Sequence, residues 1–144
     1  MLRYALYEKE KLVPLTKEID YIRDFILIQN YRQKDGVQLQ FDFPETDEAI
    51  FIAPFIFITF IENAFKHGVL NDPDFPIRIE FTYTDNKLHF NCRNKNRKQK
   101  KDAQGGLGLD NTKRRLELIY GDKQQLKIDQ KDSSFNVELT LDLK

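Results

Sequence analysis

The chain has 144 residues, 40% of them hydrophobic and 12% aromatic, so it suits one domain that buries roughly 70% of its unfolded surface. Its 23 basic and 23 acidic residues give zero net charge, hence no global field for nucleic acid or a membrane surface. Cys92 is the only cysteine, which excludes an internal disulfide. No apolar run reaches the ~18–20 residues of a membrane span, and no signal-peptide pattern follows Met1. We therefore expect a soluble, cytoplasmic domain.

The first third of the chain predicts two helices and a strand. Residues 1–12 have the pattern of a helix that began before Met1. Leu15 and Thr16 predict the start of the next helix, as hydrophobic staple and N-cap, and Gly36 predicts its end. The wide apolar face of this helix indicates more than one packing neighbour. Alternation of apolar and polar residues then predicts a strand over 37–43.

The rest of the chain predicts two helices and two hairpins. One helix should run from Pro54 to about Lys66, and another from about Asp110 to Tyr120. Alternation predicts four strands, paired in sequence order: residues 77–84, 87–94, 124–130 and 134–143. Because every strand is half polar, we expect an α+β fold, a two-layer sandwich with helices on one face of a mixed, mostly antiparallel sheet.

The most unusual stretch lies at the end of the first of these helices. The apolar run Ile50–Ile61 is expected to be buried, so the polar groups that follow it are expected to enter the interior. One helical face carries four polar residues at spacing i, i+3, i+4 and i+7: Thr59, Glu62, Asn63 and Lys66. This pattern fits a binding site, and it fits equally an ordinary solvated edge carrying a Glu62–Lys66 ion pair.

A glycine cluster at residues 105–108 sits directly before the predicted last helix, at the end of a loop with six basic residues over 93–108. Backbone N–H groups of such a turn, with the helix dipole, can bind an anion, and nearby lysines and arginines can hold polyphosphate. The residues that supply this charge are Arg97, Lys98, Lys100 and Lys101. The alternative is a solvated lid whose lysines touch nothing.

Asn94 is the third candidate. Alternation places it on the inward face of its strand, with Phe90 and Cys92, at the strand's end. A carboxamide there can both donate to and accept from a heterocycle edge, although it can equally serve only to cap the strand.

These residues resemble a known family. Glu62-Asn63-Ala64-Phe65-Lys66-His67-Gly68 resembles the N-box of sensor histidine kinases, members of the ATPase superfamily that includes gyrase and MutL. Gly106-Leu107-Gly108-Leu109-Asp110-Asn111 is similar to the glycine box of the LytS/YehU-type subfamily. The start of the chain, Leu2-Arg3-Tyr4 with Pro14-Leu15 and Glu18, resembles the link from that subfamily's dimerisation helices. The resemblance implies the Bergerat ATP-binding fold, with residues 1–14 as linker and 15–144 as catalytic domain.

The resemblance also implies roles. Asn63 would ligate the Mg²⁺ that bridges the ATP phosphates, and Glu62 would orient or polarise the attacking group or a metal-bound water. Lys66 and His67 would neutralise phosphate charge. The glycine box would wrap the phosphates and contribute the rest of the nucleotide-binding set, namely Gly105, Gly106, Gly108, Leu109 and Asn111.

Two features depart from the family pattern. The Asp-x-Gly-x-Gly box, whose Asp binds the adenine amino group, is replaced by Asn94-Lys95-Asn96, so Asn94 is the predicted adenine contact. The phosphoacceptor histidine is also absent and would lie upstream of Met1. His67 belongs to the N-box, and His89 is predicted on the open face of the sheet.

The resemblance therefore implies the ATP- and Mg²⁺-dependent catalytic domain of a histidine kinase. It would transfer the γ-phosphoryl group to a histidine on the parent's dimerisation helices for relay to a response regulator, without contacting nucleic acid or membrane itself. The parent is expected to be membrane-anchored. Alternatives are a regulatory nucleotide-binding module without transfer, or an ATPase or anti-sigma-type serine kinase of the same superfamily.

Overall fold

The computed structural model describes residues 12–44, 49–97 and 106–144. Three helices pack against a five-stranded sheet, as the sequence predicts. The elements are β1 (Val13–Pro14), α1 (Leu15–Arg32), β2 (Leu39–Asp42), β3 (Phe51–Ile52), α2 (Phe57–His67), β4 (Ile77–Thr84), β5 (Lys87–Lys95), α3 (Gly106–Tyr120), β6 (Gln124–Lys131) and β7 (Ser134–Asp142). A 3₁₀ turn, Gly121–Lys123, joins α3 to β6.

The main sheet has the strand order β2-β4-β5-β7-β6. β2 runs parallel to β4, and every other pair is antiparallel, so the predicted mixed sheet is confirmed. Both predicted hairpins form. Asp85 and Asn86 join β4 to β5 with φ of 55° and 64°, as the two-residue turn of a tight hairpin requires.

The core lies between one face of the sheet and the three helices, and α2 contributes most of the helical side chains in it. Alternate residues of the three central strands point into it, which is the covered face that the alternation predicts. Phe57 of α2 packs its ring 5.0 Å from that of Phe81 and 4.9 Å from that of Phe90. Phe25 of α1 meets Phe65 of α2 edge to face at 5.2 Å, which joins the helices to each other.

The predicted helix boundaries were wrong in three places around α1 and α2. Thr16 is not the N-cap, because α1 begins at Leu15, whose N–H donates to the Ile50 carbonyl at 2.7 Å. α1 ends at Arg32, and Gly36 lies beyond it in a turn with φ of 75°. α2 begins at Phe57 rather than at Pro54, because Phe55 has φ of 62° and cannot belong to a right-handed helix.

A small ribbon was missed by the sequence patterns. β1 and β3 pair antiparallel, with Val13 opposite Ile52 and Pro14 opposite Phe51. Two-residue strands carry too few alternating positions to be recognised. The predicted helix over residues 1–12 lies outside the described residues, apart from Leu12, which is not helical.

In the parts of the chain described here, no helix has both the length and the apolar character of a membrane span.

Candidate functional site

The polar face of α2 is the centre of the candidate site. Phe57, Phe60, Ile61 and Ala64 bury the opposite face against the sheet. Glu62 and Lys66 are exposed, and Asn63 and His67 are partly buried. The expectation that these groups enter the interior was therefore wrong, because the sheet covers only the apolar face. Within residues 49–97 no ion pair joins Glu62 to Lys66, so the ordinary helix pair is not formed either.

The C-terminal end of α2 lies against Asn94. The Gly68 N–H donates to the Ala64 carbonyl at 2.8 Å and closes the helix. A Cβ on Gly68 would lie 2.4 Å from the Ala64 oxygen and 3.0 Å from Asn94 Nδ2. Only glycine allows so close an approach. The last residue of the N-box-like stretch thus makes room for Asn94.

Asn94 occupies the predicted inward position at the end of β5. Its side chain is 1% exposed, and its Nδ2 donates to Asn96 Oδ1 at 3.2 Å. This bond fixes the donor end of the amide within the protein. A buried carboxamide whose Nδ2 is already hydrogen-bonded can use its oxygen to accept a hydrogen bond from the polar edge of a ligand that reaches it.

Several contacts join the segment after α2 to the segment after β5. Val69 N–H donates to the Lys95 carbonyl at 2.7 Å, and Arg97 N–H to the His67 carbonyl at 3.1 Å. Arg97 Nε donates to the Gly68 carbonyl at 3.2 Å. Arg97, a candidate phosphate-binding residue, thus contacts the C-terminal end of the N-box-like stretch. Its place in a basic run of the sequence did not predict this contact.

An ion pair strengthens the same junction. Lys95 Nζ lies 2.8 Å from Asp72 Oδ2. The hydrogen bond from Lys95 lowers the pKa of Asp72 below its ordinary value of 3.8, and the Asp74 N–H adds to that shift. No pattern in the sequence indicates this pair, because the two residues are 23 positions apart and only the tertiary fold brings them together.

The glycine box begins α3 rather than preceding it. α3 starts at Gly106, so Gly106 and Gly108 lie in its first turn. The first N–H groups of a helix have no partner within the helix, and glycine leaves them accessible. A Cβ on Gly108 would meet nothing within 4 Å. Among the described residues there is therefore room beside Gly108, as an anion-binding turn requires.

The other predicted members of the glycine box differ in position. The Leu109 side chain is 3% exposed and belongs to the core, so only its backbone could reach a ligand, whereas Asn111 is exposed. Gly105, Lys98, Lys100 and Lys101 lie outside the described residues. His89 is on the open face of the sheet, as predicted, with Nδ1 3.0 Å from Thr140 Oγ1.

The chain was compared with known proteins. A scan against models of protein families gives no match. An uncharacterized sensor-like histidine kinase of Staphylococcus epidermidis is 37% identical over 89 residues, which are 62% of this chain and 17% of that protein. The sensor protein kinase HptS of Staphylococcus aureus strain USA300 is 34% identical over the same coverage. The chain thus spans about a sixth of the length of these relatives.

Solved structures agree on the fold. The catalytic domain of the histidine kinase ThkA superposes with a TM-score of 0.68 at 12% identity, over 92% of this chain and 95% of that one. Full-length ShkA in complex with AMPPNP gives 0.66 at 13% identity, over 97% of this chain and 34% of that one. The chain is therefore similar in sequence to sensor histidine kinases over 89 residues, and its fold is the one that solved histidine kinase catalytic domains have.

Proposed function

We propose that this domain binds ATP on the open face of α2, between that helix and the start of α3. The observation that carries the proposal is the junction of Gly68 with Asn94. It brings a buried carboxamide to the end of the helix whose exposed face carries Asn63 and Lys66. The AMPPNP bound by ShkA, a protein of the same fold, supports a nucleotide as ligand.

The residues present fit a magnesium ion shared with phosphates. Mg²⁺ takes one or two protein oxygens and completes its shell with water and phosphate oxygens. Asn63 offers a carboxamide oxygen, and Glu62 beside it a carboxylate, on an accessible helix face. When bound, the ion would supply neutralisation of charge at the phosphates.

The protein's own groups would then position the nucleotide. Asn94 accepts a hydrogen bond from the adenine amino group, while Lys66 and His67 neutralise phosphate charge. The N–H groups of the first turn of α3 bind a phosphate. Glu62 orients the attacking group. Phosphoryl transfer depends mainly on such positioning and charge stabilisation.

The acceptor of the γ-phosphoryl group is a histidine outside this chain. Its ring nitrogen attacks the γ-phosphorus, the bond to the β,γ-bridging oxygen breaks, and ADP leaves. We place this histidine on dimerisation helices of a LytS/YehU-type parent, anchored in the membrane, with residues 1–14 as the link. A response regulator then takes the phosphoryl group.

Calorimetry tests the site. Wild type should bind ATP more tightly with Mg²⁺ than with EDTA, whereas Asn63→Ala should lose that Mg²⁺-dependent gain, about tenfold in Kd. Each variant serves as its own control, because the EDTA titration reports binding without the ion. Equal Mg²⁺-dependent gains in both proteins would remove Asn63 as a metal ligand.

Labelling with γ-labelled ATP separates the candidate activities. The isolated domain should remain unlabelled, and a histidine-bearing helical segment of the parent should become labelled at a site that is acid-labile. Tight ATP binding with no labelling of that segment would indicate the regulatory module, and acid-stable labelling of a serine would indicate the anti-sigma-type kinase.

A further inference from the structure

The turn between β3 and α2 is held by side chains from two other helices. The Ala53 N–H donates to Tyr120 Oη at 3.0 Å, and Arg115 Nη1 donates to the Pro54 carbonyl at 2.9 Å. The Phe55 N–H donates to Glu18 Oε1 at 3.0 Å. Three successive residues of the turn are thus each bonded to a side chain, two from α3 and one from α1.

The backbone of this turn needs such support. Phe55 has φ of 62° although it is not glycine, a conformation that is sparsely populated for large side chains. Its ring is 53% exposed and meets Tyr21 of α1 edge to face at 5.6 Å. A residue in this region of φ,ψ space persists only when its surroundings fix it. The bond from its N–H to the Glu18 carboxylate is one such constraint.

Glu18 itself is an unusual core residue. Its side chain is 5% exposed, near the positive charge of Arg115. A buried carboxylate adds little net stability over an apolar residue of similar size, because its desolvation offsets its contacts. Its presence is better explained by its fixing of the backbone at Phe55 than by any stabilisation of the core.

The beginning of the described chain is attached to the same segment. Val13 and Pro14 pair with Ile52 and Phe51, and the Leu15 N–H donates to the Ile50 carbonyl. Residues 13–18 therefore contact 50–55 at successive points. A displacement of the chain at the start of α1 would therefore also displace the residues directly before the first turn of α2.

We propose that Glu18 is a positioning residue of the nucleotide site, which fixes the Ala53–Phe55 turn and with it the placement of α2 relative to α3. Through α2 it sets where Glu62 and Asn63 stand, and through the turn's bonds to Arg115 and Tyr120 it couples them to the helix that begins at the glycine box. The assignment rests on the proposed nucleotide-binding function.

The test compares three variants of the same domain. Glu18→Met removes the acceptor at similar length, Glu18→Gln keeps one acceptor oxygen, and Glu117→Gln is a matched control on the exposed face of α3. Amide hydrogen exchange in the nucleotide-free protein reports on Phe55 and on the first turn of α2. Calorimetry with ATP then gives Kd at a temperature where circular dichroism shows each variant folded.

We expect Glu18→Met to accelerate exchange in both places and to raise Kd about tenfold, the effect of losing one well-placed hydrogen bond to the backbone. Glu18→Gln should stay within about threefold of wild type, since it restores the acceptor, and Glu117→Gln should match wild type. If Glu18→Met does not fold, Arg115→Met, which removes the donor to the Pro54 carbonyl, takes its place with the same expectation.

Two results would overturn the assignment. One is a folded Glu18→Met with Kd within about twofold of wild type. The other is equal weakening by the Met and Gln variants in step with their melting temperatures, which would reduce Glu18 to general stability. Failure of the proposed function is recognised separately, since wild type and Glu117→Gln would then both bind no ATP; the positioning role falls with it, even where exchange at Phe55 still responds to Glu18.

Discussion

At the scale of single residues, Gly68 shows how closely α2 and β5 approach. Its φ is −91°, an ordinary value, so its backbone conformation does not demand glycine. Space does, since a methyl group there would overlap the Ala64 carbonyl and press on Asn94. The close packing of the end of α2 on β5, the strand that bears Asn94, thus explains the glycine at the end of the N-box-like stretch.

A pair of glycine substitutions tests the packing at Gly68. Gly68→Ala should lower the free energy of unfolding by about 1–3 kcal/mol, because its Cβ overlaps backbone. Gly108→Ala should leave it unchanged or raise it by up to about 1 kcal/mol, because its Cβ meets no described atom within 4 Å and alanine favours a helix more than glycine does. Urea unfolding of both variants measures this. Equal destabilisation by the two changes would contradict the packing described at Gly68.

Asn94 should determine which base is preferred. Wild type is expected to favour ATP over the triphosphate of purine riboside, which lacks the 6-amino group, by about fivefold to tenfold in Kd. Asn94→Ala should abolish that preference, and Asn94→Asp, which retains an acceptor oxygen, should preserve it. Competition calorimetry with both nucleotides checks the expectation. A preference that survives in Asn94→Ala would place the adenine elsewhere.

The thiol of Cys92 is expected to be unreactive because it is buried. It is buried on the inward face of β5, and desolvation raises the pKa of its thiol to about 12. The thiolate is the reactive form, so native Cys92 is a core side chain.

At the scale of elements, α1 contributes a carboxylate to a turn that belongs to α2. Burial raises the pKa of Glu18 above its ordinary value of 4.5, while the bond from the Phe55 N–H and the charge of Arg115 partly oppose the shift. A carboxyl whose pKa is higher folded than unfolded binds its proton more tightly in the folded state. It therefore favours folding most at low pH.

The sign of this linkage gives a pH prediction. Relative to Glu18→Gln, wild type should lose unfolding free energy as the pH rises through 4.5 and on through the raised pKa, and the difference should be constant above it. Urea unfolding of both proteins between pH 4 and pH 8 measures the difference. Glu117→Gln should show no such trend against wild type. A difference that grows in favour of wild type with rising pH would mean that the bond from the Phe55 N–H and the charge of Arg115 together outweigh burial.

At the scale of the whole molecule, alternation predicted the architecture well. Each strand of the main sheet has one covered face, and side chains such as Phe81, Phe90 and Leu139 mark it in the sequence. Turn chemistry predicted the hairpin at Asp85-Asn86. These signals are local, so one sequence is enough to recognise them.

The errors came from contacts between distant parts of the chain. Phe55 adopts its left-handed conformation because Glu18 and α3 hold the turn, and no neighbour in the sequence indicates this. Leu15 needs no side-chain cap because Ile50 accepts its N–H. In the candidate site, Asn94 and the polar face of α2 were proposed from pattern and resemblance. Their contact at Gly68 and the hydrogen bonds of Arg97 were not predicted, because the sheet brings these residues together from distant parts of the sequence.

The outer face of α1 remains uncovered in the described chain. Leu27, Ile28 and Tyr31 are 59%, 54% and 86% exposed. The sequence predicted more than one packing neighbour for this helix. Its inner side chains Ile19 and Ile22 are buried against the rest of the domain, and its outer ones are not.

The Ala53–Phe55 turn also has a consequence for folding. Its bonds to Glu18, Arg115 and Tyr120 span 37, 61 and 67 residues of sequence. The hairpins β4–β5 and β6–β7, by contrast, close over two-residue turns, and loop-closure entropy favours such local pairs. The two hairpins can therefore form while the turn is still open, and a ligand that binds only the finished site would favour the closed turn.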